Sequence, residues 1–126
     1  GLATFKGSSA NFYKKSSDYG GGSVTAGISN YPTLLHDGDV VIDTGKLTSY
    51  QKDVKGLRGA IGVGDSNLYL AIFSNATVVD AAYAMKALGA KDALNLDGGG
   101  SSALYLNGSY IVGPGRSLPN AIVLVK

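Results

Sequence analysis

The sequence predicts an α+β fold: a mostly antiparallel mixed sheet of short strands with one clear helix packed on it. Three observations carry this expectation. Short apolar runs are broken at close intervals by Gly, Asn, Asp and Ser. The 126 residues include 19 glycines, a count that favours tight turns over long helices. A single run, about residues 77–89, places apolar side chains at helical spacing between a cap and a stop. No repeat or linker divides the chain, so residues 1–126 read as one domain, long enough for one core.

Taken in order, Ala10 to Lys15 is strand-like, and "SSDYGGGS" (Ser16 to Ser23) is loop-like. Thr33 to His36 and Val40 to Asp43 read as a hairpin around Asp37-Gly38, a turn pair suited to positive φ. Lys46 to Lys55 is polar, a loop with a helical turn. Arg58 to Val63 and Leu68 to Phe73 form a second hairpin turning at "GDSN". Thr77 caps the helix, with Asp80 at the third helical position as an Asp variant of the capping box. Val78, Ala81, Ala82, Met85 and Leu88 share one face, and Gly89 ends it. That face is small, so the helix is expected close against a sheet. Asp92 to Leu96 is a buried strand. Ala103 to Leu106 and Tyr110 to Val112 flank Asn107-Gly108, the strongest hairpin signal in the chain. The loop Gly113 to Asn120 leads to a last apolar strand, Ala121 to Val125.

Composition excludes several functions. Charged residues make up 16% and the net charge is +2, with no basic run beyond Lys14-Lys15, so binding to nucleic acid through phosphate neutralisation is not expected. No apolar stretch is long enough to span a membrane as a helix. With no cysteine, disulfides and thiolate metal sites are excluded. His36 is the single histidine and is expected to be exposed in its hairpin; no metal-ligand spacing is visible. The P-loop, dinucleotide and nucleophile-elbow templates all fail on spacing.

The chemistry concentrates in "ALNLDGGGSSALYLNG", Ala93 to Gly108. Asp97 stands at the mouth of a strand. Gly98, Gly99 and Gly100 then present backbone N–H groups with no Cβ in the way, able to form a nest for an anion. Ser101 and Ser102 add hydroxyls. The same residues also suit a tight turn in which Asp97 accepts local amide hydrogen bonds, and composition leaves both readings standing. Only two of the eleven basic residues are Arg, Arg58 and Arg116, and Arg is the side chain suited to bidentate phosphate recognition.

Four segments, in order, resemble the phosphodiester glycosidase family, which includes the mannose 6-phosphate uncovering enzyme and bacterial relatives. They are "YPTLLHDGDVV", "LRGAIGV", "LGAKDALNLDGGGSSALYLNG" and "RSLPNAIVLV". The third is the most specific, matching the family's "NLDGGGSS". The likeness covers about Gly27 to Lys126 and corresponds to the C-terminal part of the family domain. "RGA" stands where the family has "RTA", and the upstream "NGGFF"-type motif is missing. A truncated or shortened family domain is therefore the expectation, with an N-terminal segment or oligomer partner completing it.

The resemblance implies hydrolysis of sugar-1-phosphodiesters at the glycosidic bond. It implies catalytic roles for Asp97, Arg58 and Arg116. Substrate contacts fall to Asn95, Gly98, Gly99, Gly100, Ser101, Ser102 and Asn120. A carbohydrate phosphodiester is the expected partner, with no cofactor and no metal; an exopolysaccharide substrate and a secreted or cell-envelope location go with it. Two other readings remain at this level: a module that binds anionic glycans without cleaving them, and one structural half of a split domain.

Overall fold

The computed structural model describes residues 1–125. It contains ten strands, two α-helices and three 3-10 turns among those residues, and every strand pairing is antiparallel. The α+β expectation holds.

The strands are β1 (Leu2–Lys6), β2 (Ser9–Tyr13), β3 (Ala26–Ser29), β4 (Thr33–His36), β5 (Asp39–Val40), β6 (Gly56–Val63), β7 (Leu68–Ala76), β8 (Asp92–Leu96), β9 (Leu104–Leu106) and β10 (Ser109–Val112). The helices are α1 (Ser49–Asp53) and α2 (Val78–Ala87). A small sheet runs β2-β1-β3, the hairpin β9-β10 stands apart, and the central sheet has the order β5-β4-β8-β6-β7.

Local chemistry explains the elements read correctly. Asp37 and Asn107 adopt φ of 51°, and Gly38 and Gly108 adopt 84° and 87°, the positive pair that a two-residue hairpin turn with the sheet's twist requires. Thr77 Oγ1 accepts from Asp80 N at 3.0 Å, while Asp80 Oδ2 accepts from Thr77 N at 2.8 Å, closing the capping box on α2. Val78, Ala81, Ala82 and Met85 are buried beneath it. A Cβ at Gly62 would lie 2.6 Å from Met85 Cε, so the bare glycine is what lets α2 settle onto β6.

Successive residues of a strand face opposite sides of the sheet. On the α2 side of β6 and β8, the core holds Ala60 and Ala93 with Met85, Ala82 and Val78. Ile61 and Leu94, on the other side, are buried as well. The central strands are covered on both faces, which is why "ALNL" reads as a nearly continuous apolar run.

Several expectations are corrected. The strand expected at Ala10 to Lys15 is Ser9–Tyr13, and Lys14 and Lys15 lie exposed beyond it. Val40 to Asp43 contributes only Val40 to a strand, because the partner strand β4 offers just the pairs Leu35↔Val40 and His36↔Asp39. Leu88 caps α2 and is 51% exposed instead of joining its buried face. Ala121 to Val125 forms no strand and pairs with no other strand; Val123, Leu124 and Val125 are exposed. Among the described residues, no helix is long and apolar enough to cross a membrane.

Candidate active site

The antiparallel register of β6 and β8 runs through Ala60↔Asn95 and Gly59↔Leu96. Chain leaving the end of β8 therefore passes the beginning of β6. Alternation places Arg58 on the face that carries Ala60, and Asn95 on the face that carries Ala93. Both thus extend the α2 side of the sheet into a pocket of about 220 Å³. Asp97, Gly98, Asn95 and Arg58 line it, together with Tyr50 and Asn30.

Arg58 is the electrostatic centre of this pocket. It is 2% exposed. Its Nη1 donates to Leu57 O at 3.0 Å, and its Nη2 donates to Tyr50 O at 3.2 Å and Val54 O at 2.7 Å. Tyr50 lies in the first turn of α1 and Val54 is its C-cap, so the guanidinium ties to both ends of this short helix through backbone carbonyls. Its Cζ lies 4.9 Å from the centroid of the Tyr50 ring, a cation–π contact. A guanidinium has five N–H groups. The three bonds leave Nε–H and one Nη1–H, and Nε is buried without a partner. Among the described residues no carboxylate forms an ion pair with Arg58.

Asn95 is also held from one side only. Its backbone N donates to Pro32 O at 3.1 Å and its Nδ2 to Tyr31 O at 3.0 Å, while Oδ1 is buried and unpartnered. Asp97 is exposed at the pocket mouth, where Asn30 Nδ2 donates to its Oδ1 at 3.3 Å. One carboxylate, one buried cation and a free amide oxygen thus border one cavity.

The three glycines differ in what they need. A Cβ on Gly98 would stand 2.6 Å from Leu57 O and 3.0 Å from Arg58 Nη1. Gly99 has φ of 58°, unfavourable for a side chain. Gly100 has open space where a Cβ would go. A 3-10 turn, Gly99–Ser101, follows; Ser101 N and Ser102 N donate back to Gly98 O and Gly99 O.

The remaining sequence candidates lie outside the pocket lining. Arg116 is exposed and its Nε donates to Ser101 Oγ at 2.8 Å. Gly115 N donates to Gly100 O at 3.1 Å, so the loop carrying Arg116 braces the glycine segment from behind. Ser102 is buried, with Oγ unpartnered. Asn120 is exposed on a segment without regular structure.

Asn30, Tyr31, Tyr50, Gln51 and Val78 line the pocket without having been read as site residues. A local signal existed for α1. Thr48 and Gln51 form a full capping box, with Thr48 Oγ1 accepting from Gln51 N at 3.2 Å. "TSYQ" therefore marked a helix start beside the site.

His36 is not simply exposed. Its Nδ1 lies 2.9 Å from Asp92 Oδ1 and its Nε2 3.7 Å from Asp37 Oδ2. His36, Asp37 and Asp92 have donor atoms spaced as metal ligands could be, a grouping made by β4 pairing with β8 and invisible in linear spacing. It sits at the opposite end of these two strands from Asp97.

The family model described as phosphodiester glycosidase matches residues 4–125, extending the likeness N-terminally beyond Gly27. A crystal structure of a hypothetical protein from Synechocystis is similar at 31% identity and a TM-score of 0.61. That match covers 70% of this chain and 18% of the Synechocystis chain. A search of curated proteins gives no match.

Proposed function

The chain belongs to the phosphodiester glycosidase family, and from that premise we propose that it hydrolyses sugar-1-phosphodiesters at the glycosidic bond. Water adds to the anomeric carbon, the bond from that carbon to the bridging oxygen breaks, and a free sugar and a phosphomonoester leave. The observation that carries this reading is Arg58, a guanidinium 2% exposed with no carboxylate partner among the described residues, in the pocket that Asp97 opens onto. Three carbonyls and the Tyr50 ring satisfy part of this guanidinium, but with no anion beside it, keeping its charge out of water still carries a desolvation cost. An anionic substrate offsets that cost, and the unpartnered Nε–H is a donor in reserve.

The chemistry matches this supply of groups. Ordinary glycosidases use two carboxylates, one of them to protonate a poor alkoxide leaving group. A phosphomonoester has a second ionisation near about 6, so it departs without strong acid assistance. The greater need is to hold the phosphate and stabilise growing negative charge on it. Arg58 meets that need, with the Gly98 backbone beside it in the pocket. Asp97 then acts as base on the attacking water, or steadies positive charge at the anomeric carbon. Asn95 Oδ1 accepts from a sugar hydroxyl. Arg116 supports the loop through Ser101.

One observation favours a second reading, a module that binds phosphosugars without cleaving them. Asp97 is the one carboxylate lining the pocket among the described residues. The deciding experiment incubates the protein with a methyl sugar-1-phosphodiester, follows release of reducing sugar, and measures binding by calorimetry. Turnover that falls at least ~1,000-fold in Asp97→Asn, with binding retained, supports hydrolysis; the magnitude is that of a lost base with its supporting charge. Binding without product supports the module. Neither binding nor product refutes both.

A further inference from the structure

A second groove, of about 330 Å³, adjoins the pocket of Arg58 and Asp97. Tyr31 lines both and forms the partition between them. Tyr31 is 47% exposed, and its hydroxyl donates to Lys46 O at 3.5 Å. Pro32 and Val41 supply apolar floor, while Lys14, Lys15 and Lys46 stand around it with a single carboxylate, Asp43. Lys46 Nζ already neutralises that carboxylate at 3.0 Å. Among the described residues, Lys14 and Lys15 have no ion-pair partner. The groove therefore carries net positive charge over an apolar floor, next to the reaction pocket.

Resting on the hydrolase reading above, we propose that this groove is a second subsite, which holds the neighbouring anionic sugar-phosphate unit of a polymeric sugar-1-phosphodiester. A small diester fills only the first pocket. A polymer passes over Tyr31, packs the apolar face of a sugar ring against that aromatic ring, and brings its next phosphate to Lys14 and Lys15. Charge complementarity and continuity with the first pocket favour this occupant. A neutral glycan leaves the lysines unmatched.

The test compares two probes by calorimetry, methyl N-acetylglucosamine-1-phosphate and a trimer of N-acetylglucosamine-1-phosphate. The parent protein binds the trimer at least ~10-fold more tightly, as one added charge-assisted contact predicts, and that advantage shrinks with added salt. The double variant Lys14→Gln/Lys15→Gln loses most of the advantage. Equal affinity of the parent for the two probes overturns the subsite. So does an equal loss for both probes, or no loss for either, in the double variant. Product analysis on the same samples keeps the two claims separate: a lysine-dependent preference for the trimer without cleavage upholds the subsite and refutes the hydrolase.

Discussion

Substituting Gly98 by alanine tests the central geometry, because the structure assigns this glycine a steric reason that its neighbour Gly100 lacks. At φ of −116° the backbone of Gly98 accepts any residue, so conformational strain is absent. The added methyl carbon would instead lie 2.6 Å from Leu57 O and 3.0 Å from Arg58 Nη1. Ordinary carbon contacts are about 3.5–4.0 Å. The glycine segment must retreat by roughly 1 Å from the carbonyl, or Arg58 must abandon its 3.0 Å bond to Leu57 O. Overpacking of this kind costs about 1–3 kcal/mol. For a chain of this size that is a fall in Tm of roughly 3–6 °C per kcal/mol. A displacement near 1 Å at a catalytic pocket lowers turnover by about 100-fold. Gly100→Ala, where the methyl meets nothing within 4 Å, is the matched control. It should change stability by under about 0.5 kcal/mol. Thermal melts and kcat/KM on the two variants measure both quantities. An unchanged Tm and rate for Gly98→Ala, or equal damage from Gly100→Ala, would refute the assignment of Gly98 as the contact that sets Arg58 and the loop together.

Three further outcomes are expected. Arg58→Lys keeps the charge but loses the fork that reaches Tyr50 O and Val54 O, so kcat/KM should fall about 10–100-fold; full activity would remove the guanidinium geometry from the mechanism. Arg116→Ala loses the bond to Ser101 Oγ and should lower kcat/KM by no more than about tenfold, one hydrogen bond's worth at a braced loop; a loss as large as that of Asp97→Asn would place Arg116 on the substrate. Hydrogen bonds from the Thr77 backbone and hydroxyl hold the Asp80 carboxyl below its usual range. Its contribution to stability is therefore complete above the ordinary aspartate value of about 4, and is lost as pH falls through the lower folded value. Melts from pH 6 to pH 2 on Asp80→Asn should show a shallower acid decline than the parent; parallel curves would dismiss the cap as a pH-linked contact.

Much of the fold was legible because its signals are local. The box of Thr77 and Asp80 sets the start of α2, and the strand Asp92–Leu96 was read to its ends. The turn pairs Asp37-Gly38 and Asn107-Gly108 lie where positive φ was expected. Two misreadings have different causes. Ala121 to Val125 has the composition of a strand, but a strand forms only where it pairs, and this segment pairs with none. Leu88 has the right spacing for the buried face of α2, but it falls at the cap, where the chain is already turning away. Within the site, Asp97 and Gly98 of "NLDGGGSS" line one pocket with Tyr50 and Asn30, which carried no sign in the sequence of belonging beside them.

By itself, the sequence determined the α+β class, the capped helix, the hairpins and the segment that marks the family, since each rests on neighbours a few residues apart. Tertiary structure alone decided which of those residues share a cavity. The pairing of β6 with β8 brings Arg58 beside Asn95 and the end of β8, and α1 with its C-cap lends the carbonyls of Tyr50 and Val54 to the buried guanidinium. The same pairing logic, acting between β4 and β8, gathers His36 with Asp92 at the far end. Register and burial act between segments distant in the chain, so a pattern read along the chain does not contain them. The triple glycine shows both levels at once: its presence was written in the sequence, but the separate reasons for Gly98, Gly99 and Gly100 exist only where Leu57, Arg58 and the turn close around them.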